Sequence, residues 1–418
     1  MGEGRPTALL KAAERRRAPL PASIHAGLDV EAAGVVRTDI AAPLNILHML
    51  RAPLGGLFRH VVDLVRGQAA RGHRVGLIVD SITGGARAEA ALAELAPHLA
   101  LGVQRVAISR QISPSDLQAL RFVSRSIQGA APDVLHGHGA KGAALARLAP
   151  SAPNAIRVYT PHGGSFVYGP GTVGGRFYRT LEWLLKWRTD LFLFESSYIA
   201  GLFRTDVGRP PGMVRVVHNG VGDGEFAPIV PRADATDIVC LGELRPVKGF
   251  DVLIEALSIL KARGRSVSAT IAGEGPEDAE LKALAAASGL GDLVRFVGYR
   301  PAREAFAMGR MMLIPSRAES LPYVILEAAA AGVPIVSTRV GGIPEIFGPH
   351  SDHLIPPDNV GSLVEAITGA LDAPGVFANI AHAVKARVQA EFSLPAMVDG
   401  GLAAYREAIA LRKLAQFA

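Results

Sequence analysis

Short apolar runs alternate with segments of helical periodicity along almost the whole chain. In the first half, most of these runs carry apolar side chains at consecutive positions, and they lie at 45–50, 74–80, 103–108, 133–137, 156–160 and 191–194. A strand that is apolar on both faces belongs in a parallel sheet that helices cover on both sides. Because crossovers between parallel strands are right-handed, the product is a doubly wound, Rossmann-like layer. The alternation therefore predicts an α/β fold.

The alternation pauses at residues 217–237, where turn-forming residues and two prolines predict a linker. It then begins again, with strands predicted at 238–241, 269–272, 293–297, 311–314 and 334–337. A chain of 418 residues is also longer than one hydrophobic core usually supports. We therefore predict two Rossmann-like, doubly wound parallel-sheet domains that face each other across a cleft.

The predicted domain boundaries follow from this pattern. Residues 1–43 are rich in Ala and Arg and are expected to be a weakly ordered extension. Residues 44–220 form the first predicted domain and residues 221–392 the second. A last apolar-periodic stretch begins at Leu394, so residues 393–418 are expected to form a helix that crosses back to the first domain.

Composition excludes several classes of protein. The chain is 49% hydrophobic, which excludes a disordered polypeptide, and its single cysteine, Cys240, excludes a disulfide framework or a thiolate zinc site. No apolar run reaches the roughly 18 residues that span a bilayer. The first forty residues lack the apolar core and cleavage site of a secretory signal. We expect a cytoplasmic protein in a reducing compartment.

Charge is divided unevenly along the chain. Lys and Arg outnumber Asp and Glu by 26 to 15 over residues 1–220 and are outnumbered 18 to 23 over the rest. The basic half predicts peripheral contact with an anionic membrane surface, to which Arg59, Arg66, Arg71 and Arg74 could contribute, although a solvated helix face explains them as well. No nucleic-acid partner is expected, because zinc-finger spacing and aromatic–basic ribonucleoprotein motifs are absent.

The sharpest cationic motif follows the first predicted strand of the second domain. Arg245 and Lys248 lie three residues apart in a strand-to-helix loop, where a guanidinium and an ammonium can neutralise a diphosphate. Surface cations that cap a loop would have the same spacing. Later loops, at Gly273 and at Phe296-Val297, could lay backbone amides beside a nucleobase, but the Gly273 loop lacks the third glycine of a dinucleotide-binding fingerprint.

Two carboxylates eight residues apart frame a predicted helix start at Pro322. Glu319 precedes the helix and can accept hydrogen bonds from sugar hydroxyls. Glu327 lies inside it among apolar residues, where an unpaired carboxylate is costly, so a ligand contact such as a ribose diol is predicted. The segment between them is expected to line the same pocket through Ser320, Leu321, Pro322 and Tyr323.

Together, these motifs resemble the retaining nucleotide-sugar glycosyltransferases of glycosyltransferase family 4, which have the GT-B fold. The resemblance implies that Arg245 and Lys248 hold the donor diphosphate, that Glu319 meets the donor hexose and that Glu327 clamps the ribose. It implies a UDP- or GDP-hexose donor and neither a metal ion nor another cofactor. Pro322 departs from the glycine that many members carry, and it removes one backbone N–H.

Motifs of the first domain resemble the same family less closely. Gly55-Gly56 resembles a flexible loop that closes over the diphosphate, and His162 lies in a segment that resembles the loop beside the transferred sugar. His138 and Lys141 resemble an acceptor-side loop. From the residues alone, a histidine before Gly-Gly, such as His162, more often forms a hydrogen bond within its loop than acts as a catalyst. His136 and His138, without a third ligand, make a poor metal site.

The predicted function is transfer of a hexose, with retention of configuration, to a lipid-linked or polysaccharide acceptor in envelope or exopolysaccharide synthesis. Three alternatives stay open: a nucleotide-sugar epimerase or phosphorylase of the same fold, a dehydrogenase in which Asp80 contacts a ribose, and a non-catalytic peripheral membrane scaffold. The missing Gly-x-Gly-x-x-Gly motif argues against the dehydrogenase.

Overall fold

Two parallel sheets, each flanked by helices, form the protein. The structure is a computed structural model that describes residues 42–150, 155–163 and 173–417, all within one compact unit. Every recorded strand pair is parallel, which confirms the predicted α/β fold with two Rossmann-like sheets. The predicted N-terminal extension, 1–43, lies almost wholly outside the described residues.

The first sheet has seven strands in the order β3-β2-β1-β4-β5-β6-β7. Its strands are β1 (Asn45–Met49), β2 (Arg74–Asp80), β3 (Val103–Val106), β4 (Val134–His138), β5 (Ile156–Thr160), β6 (Leu191–Phe194) and β7 (Met213–Val216). The helices between them are α1 (Gly55–Ala70), α2 (Gly85–Leu95), α3 (Ser115–Ala130), α4 (Gly139–Leu148), α5 (Val173–Leu185) and α6 (Ser197–Asp206). The sequence pattern did not predict β7, because this edge strand is partly exposed and lacks a continuous apolar run.

The second sheet has five strands in the order β10-β9-β8-β11-β12. Its strands are β8 (Thr236–Leu241), β9 (Ala269–Ala272), β10 (Val294–Phe296), β11 (Gly309–Ile314) and β12 (Ile335–Ser337). The helices are α7 (Phe250–Ala262), α8 (Asp278–Ala287), α9 (Ala302–Phe306), α10 (Tyr323–Ala331), α11 (Ile343–Phe347), α12 (Val360–Asp372) and α13 (Pro374–Glu391). Cys240 is fully buried in β8, and burial raises the pKa of its thiol.

The last helix, α14 (Leu394–Phe417), returns to the first sheet. Its buried residues, among them Val398 and Tyr405, join a core cluster with Ile46 of β1 and Val158 of β5. Within the described ranges, no single helix is long and apolar enough to cross a membrane; α12 and α13 pass that test only together, across a 98° bend.

Both sheets reverse their strand order at one point, and these points position the site. In the first sheet the reversal lies between β1 and β4, and in the second between β8 and β11. In open parallel sheets, ligands bind beyond the carboxyl ends of the strands at such a reversal. The loops that follow β8 and β11 carry Lys248 and Glu319, while His138 is the last residue of β4 and His162 lies in the segment that follows β5.

Close packing of α4 on β1 gives a stability prediction. A Cβ at Gly142 would overlap the Met49 carbonyl oxygen, whereas a Cβ at Gly129 in α3 would meet no atom within 4 Å. We expect Gly142→Ala to lower the free energy of unfolding by about 1–3 kcal/mol. The control Gly129→Ala should raise it by up to about 1 kcal/mol, because alanine favours helix. Urea unfolding measures both, and equal effects would contradict the packing.

Candidate functional site

Lys248 and Glu319, two side chains of the second domain that are predicted to bind the sugar donor, contact each other. Lys248 Nζ lies 2.6 Å from Glu319 Oε1, and Ser316 Oγ donates a hydrogen bond to the same oxygen at 2.8 Å. All three residues line a small pocket with Leu241 and Val324. The cation assigned to a diphosphate and the carboxylate assigned to a hexose therefore face one space.

Arg245 lies in the same loop but does not contact Lys248 through its side chain. Its guanidinium is partly exposed and lies 3.5 Å from Glu243 Oε2. Arg317, which no sequence motif identified, holds this loop in place: its side chain donates to the Pro246 carbonyl and lies 2.6 Å from Asp251 Oδ2. Arg317, which lies just after the end of β11, therefore anchors the loop that carries Arg245 and Lys248.

The glycine loops of the second domain bind each other, and this corrects a prediction. The Gly273 amide donates to the Gly298 carbonyl at 2.9 Å, and the Val297 amide donates to the Ile271 carbonyl at 3.1 Å. Both amide N–H groups therefore already donate hydrogen bonds within the protein and are not free to bind a nucleobase. Phe296 and Val297 are half-buried beside them. A base would have to contact other atoms of these loops.

Glu327 has a partner from the first domain. Arg59 Nη1 donates to Glu327 Oε1 at 3.0 Å, and the same guanidinium contacts Asp63 at 2.6 Å and Glu225 at 3.3 Å. Burial raises the pKa of Glu327 to about 7, while Arg59 opposes that rise. The inference that an apolar setting leaves this carboxylate for a ligand was therefore incomplete, because the protein itself supplies a cation.

Helix α1 brings further residues of the first domain against the start of α10. Gly55 and Gly56 form the first turn of α1, with a left-handed φ of 71° at Gly55, and not the flexible loop that the resemblance implied. Gly56 faces the Tyr323 ring, and the Tyr323 hydroxyl lies 3.3 Å from His60 Nδ1. The Asn219 amide donates to the Leu321 carbonyl at 2.8 Å. The two domains thus meet through the start of α10.

Five imidazoles lie side by side on the first-domain side of the site. His162 has a left-handed backbone, with φ 51°, and the neighbouring Gly163 faces Ser320 of the second domain. Its ring stacks on His138 and meets His60 edge-on, with ring centroids 5.4 Å and 4.7 Å away. Two further histidines, His48 and His136, lie behind His138. Burial lowers the pKa of all five imidazoles, so they are neutral at pH 7.

Two predicted acceptor contacts are not at the surface of the cleft. His138 is 1% exposed and is enclosed by other histidines, so it reaches the cleft only through His162. The Lys141 ammonium is 2.6 Å from Asp116 Oδ2 and 3.0 Å from the Gln111 carbonyl. Neither side chain is placed to touch an acceptor directly, since each is satisfied inside the first domain.

Other residues that were predicted to contact a ligand or a membrane form contacts within the protein instead. Both oxygens of Asp80 accept hydrogen bonds, from the Ile108 amide and from Thr83, so the ribose contact of the dehydrogenase alternative has no support here. Arg66 pairs with Glu94 and Arg71 with Asp399. These two arginines, like Arg59, are therefore less available to lipid headgroups than the sequence suggested.

Glu195 is a buried acid that no catalytic motif singled out. It is 1% exposed, and burial raises its pKa to about 7, while the amides of His162 and Gly163 oppose that rise. The acid therefore lies beneath the loop that carries His162. In the sequence, Glu195-Ser196-Ser197 resembles a hinge or cleft-lining segment of glycosyltransferase family 4, and the carboxylate follows an apolar strand directly.

Comparisons with known proteins agree with this architecture. The family model described as Glycosyltransferase Family 4 matches residues 54–223, and the one described as Glycosyl transferases group 1 matches residues 235–373. The glycogen synthase of Mycobacterium tuberculosis is 28% identical over 371 residues, 81% of this chain and 88% of that protein.

Two solved structures share the fold. The sucrose-phosphate synthase of Thermosynechococcus elongatus has a TM-score of 0.73 at 20% identity and covers 88% of this chain and 99% of that one. HepE of Anabaena in complex with UDP-glucose has a TM-score of 0.70 at 19% identity and covers 86% and 98%. These likenesses confirm the two-domain GT-B fold.

The contact between Arg59 and Glu327 gives a pH-dependent prediction. In Arg59→Met the buried carboxylate loses its cation, so its pKa in the folded state rises further above its unfolded value. Stability should then be retained at low pH and lost as pH rises through the folded pKa. We expect a loss of about 1–3 kcal/mol at pH 8 and a smaller loss at pH 6.

A matched variant tests this assignment. Arg66→Met removes an exposed pair with Glu94 and should change the free energy of unfolding by less than about 1 kcal/mol at either pH. Chemical unfolding at pH 6 and pH 8 measures both variants. If Arg59→Met behaved like Arg66→Met at both values, the carboxylate would not depend on this guanidinium.

Proposed function

The chain is a group 1 glycosyltransferase of glycosyltransferase family 4, and we propose that it moves a hexose from a UDP- or GDP-hexose to a saccharide or lipid-linked acceptor with retention of configuration. The contact between Lys248 and Glu319, 2.6 Å apart in one pocket, carries this proposal. A cation for the leaving diphosphate and a carboxylate for sugar hydroxyls then act on one ligand.

In the proposed reaction, the bond between the anomeric carbon and the diphosphate breaks, and the acceptor hydroxyl oxygen forms the new glycosidic bond. The hydroxyl proton passes to a diphosphate oxygen, and the nucleoside diphosphate leaves. Negative charge grows on that group, where the Lys248 ammonium stabilises it, and the exposed Arg245 guanidinium can turn toward it. Two side-chain cations supply the charge, so this scheme uses no metal ion or other cofactor.

Two helix starts support the same site. Gly56, in the first turn of α1, lies so close to Tyr323, the first residue of α10, that a Cβ at this glycine would be 3.6 Å from the tyrosine ring. The amides of a first turn have no partners inside their helix and carry partial positive charge. The N-terminal ends of α1 and α10 meet at the domain boundary, and together they favour binding of an anion there. In the proposed donor, that anion is the diphosphate.

The named relatives support the donor and acceptor classes. HepE is known in complex with UDP-glucose, which favours a UDP-hexose as the donor of this chain. The similarity to a glycogen synthase over 81% of the chain favours a saccharide acceptor. In envelope or exopolysaccharide synthesis, such an enzyme would extend a growing glycan. An epimerase is the alternative reaction, and it would not release nucleoside diphosphate.

The proposed roles predict a loss of transfer when the pocket is altered. Lys248→Ala and Glu319→Gln should each lower kcat/KM by about 10²–10³-fold, because each removes a group that acts on the transition state. The control Lys261→Ala removes an exposed lysine at the end of α7 that donates to the Gly289 carbonyl, and it should leave kcat/KM unchanged.

Donor identification comes first in this experiment. Thermal unfolding with UDP-, GDP- and ADP-hexoses finds the sugar nucleotide that stabilises the fold, since stabilisation grows with ligand concentration over its Kd. Release of nucleoside diphosphate is then measured with that donor and oligosaccharide acceptors. Full activity of the Lys248→Ala, Glu319→Gln double variant, or turnover without released nucleoside diphosphate, would refute the proposal.

We further propose that the enzyme works in the cytoplasm at an anionic membrane surface. The chain has only two tryptophans, and both Trp183 and Trp187 are exposed, by 49% and 66%. Phe177 and Leu184 are exposed on the same helical segment, and Arg188 follows them. Exposed aromatic residues next to cations are typical of surfaces that bind at the headgroup level of anionic bilayers. We name the exposed residues of 177–188 the α5 patch.

Intrinsic fluorescence tests the α5 patch directly, because both tryptophans lie on it. Vesicles of phosphatidylglycerol and phosphatidylethanolamine should shift the emission to shorter wavelength and cosediment with the protein, and phosphatidylcholine vesicles should not. Trp187→Ala should weaken cosedimentation, whereas Val230→Ala, an exposed apolar residue of the linker, should not. An unchanged emission spectrum with anionic vesicles would exclude this surface.

A further inference from the structure

Three of the five imidazoles, those of the buried His48 and His138 and of the half-buried His162, form a continuous hydrogen-bonded chain that ends at the Gln68 side-chain amide. His162 Nε2 lies 3.1 Å from His138 Nδ1, and His138 Nε2 lies 2.9 Å from His48 Nδ1. His48 Nε2 in turn lies 2.9 Å from Gln68 Oε1. We propose that this chain holds His162 in a single tautomer, with the proton on Nε2 and a bare Nδ1, and that Gln68, His48 and His138 are positioning residues for it.

The proposal first requires neutral rings. His48 is fully buried and His138 is 1% exposed, and no carboxylate contacts either of them among the described residues. A charged imidazole in such a place would be strongly disfavoured. Each neutral ring has one N–H donor and one bare nitrogen that accepts. A fixed acceptor at one end of the chain therefore sets the direction of every bond in it.

Gln68 sets that direction because its carbonyl oxygen can only accept. His48 must then donate from Nε2, which leaves His48 Nδ1 bare and able to accept. His138 must donate from Nε2 to that nitrogen, so its own Nδ1 is bare. His162 must donate from Nε2 to His138, and its Nδ1 is left without a proton.

The direction of the chain depends on which end of the Gln68 amide faces His48. Oε1 of Gln68 lies 2.9 Å from His48 Nε2, while its amide nitrogen is buried with no hydrogen-bond partner among the described residues. A reversed amide would present its N–H group to His48 Nε2, and every bond of the chain would then run the other way. The tautomer of His162 therefore reports the orientation of this amide.

The consequence of the fixed tautomer rests on the proposed function. A bare, neutral nitrogen can accept a hydrogen bond from a sugar hydroxyl, but it cannot donate one to a diphosphate oxygen. It also adds no positive charge beside an anomeric carbon that becomes cationic in the transition state. His162 would thus select for a hydroxyl-bearing ligand group, and the buried chain behind it would set that preference.

Binding of a metal ion is the alternative role for the histidines of this cluster. Nitrogens of His60, His138 and His162 lie within 4.8 Å of one another, and His60 Nε2 has no hydrogen-bond partner. However, the Tyr323 hydroxyl lies 3.3 Å from His60 Nδ1 and can donate to it, and in a neutral ring the proton then lies on His60 Nε2. The 3.1 Å between His138 Nδ1 and His162 Nε2 is the length of a hydrogen bond. A metal would need both of these nitrogens bare.

Histidine ¹⁵N NMR of the protein without donor tests the tautomer directly. In protein labelled at histidine, the His162 signals, identified by their loss in His162→Gln, should show a protonated Nε2 and a bare Nδ1. Gln68→Met removes the anchor and should allow both tautomers. The control His136→Gln alters the neighbouring ring that lies outside the chain, and it should leave the His162 tautomer unchanged.

Activity gives a second readout. Gln68→Met should lower kcat by about 10–100-fold, the size of effect that loss of the hydrogen bond behind a metal-bound histidine has. A protonated Nδ1 in the unaltered protein, an unchanged tautomer in Gln68→Met, or one bound zinc per chain that displaces the His162 proton would overturn the proposal. Because the spectra need neither donor nor acceptor, they remain decisive even if the proposed transfer reaction fails.

Discussion

Parallel pairing of the strands is the constraint on which the rest of this structure depends. Because the strands are parallel, their carboxyl ends all lie at the same edge of the sheet, and the loops that carry the candidate site residues lie close together at that edge. In the second sheet, the loops after β8 and β11 bring Lys248 beside Glu319 across 71 residues of sequence. In the first sheet, the end of β4 and the segment after β5 bring His138 against His162. Each lobe thus builds half of a site from strand ends alone.

Contacts between charged groups join the two halves. Arg59 of α1 reaches Glu327 of α10, and Glu345 of α11 accepts from the amides of Ser197 and Tyr198 at the start of α6. These are polar contacts on a partly hydrated boundary, and they are weaker than a packed apolar interface. In the proposed transfer reaction, such a boundary would let the lobes separate to admit a donor and close to exclude water.

Local patterns in the sequence predicted the sheets and the donor pocket well, because both depend on nearby residues. Continuous apolar runs mark β2, β5, β6 and β9 to the residue, and a loop motif places Lys248 and Glu319 at strand ends. The partner of Glu327 could not be predicted, since Arg59 lies 268 residues away and an apolar setting gives no sign of a cation from another domain.

The histidines show the same limit. From the sequence, His138 resembles part of an acceptor-side loop, and His136 and His138 without a third ligand make a poor metal site. In the structure, contacts with His48, Thr160 and Tyr405 from distant elements bury both rings. The flexible loop that the resemblance implied at Gly55 and Gly56 is the first turn of α1, because a glycine pair can begin a helix as readily as it can form a loop.

The burial of Cys240 in β8 has a practical consequence. Its thiol is fully enclosed and resists ionisation, so it is inert toward reagents that modify thiolates. A cysteine introduced on the outside of each lobe would therefore carry a fluorophore or spin label with no background from the native chain. The natural sequence is already suited to measuring, in solution, how far apart its two halves move during a catalytic cycle.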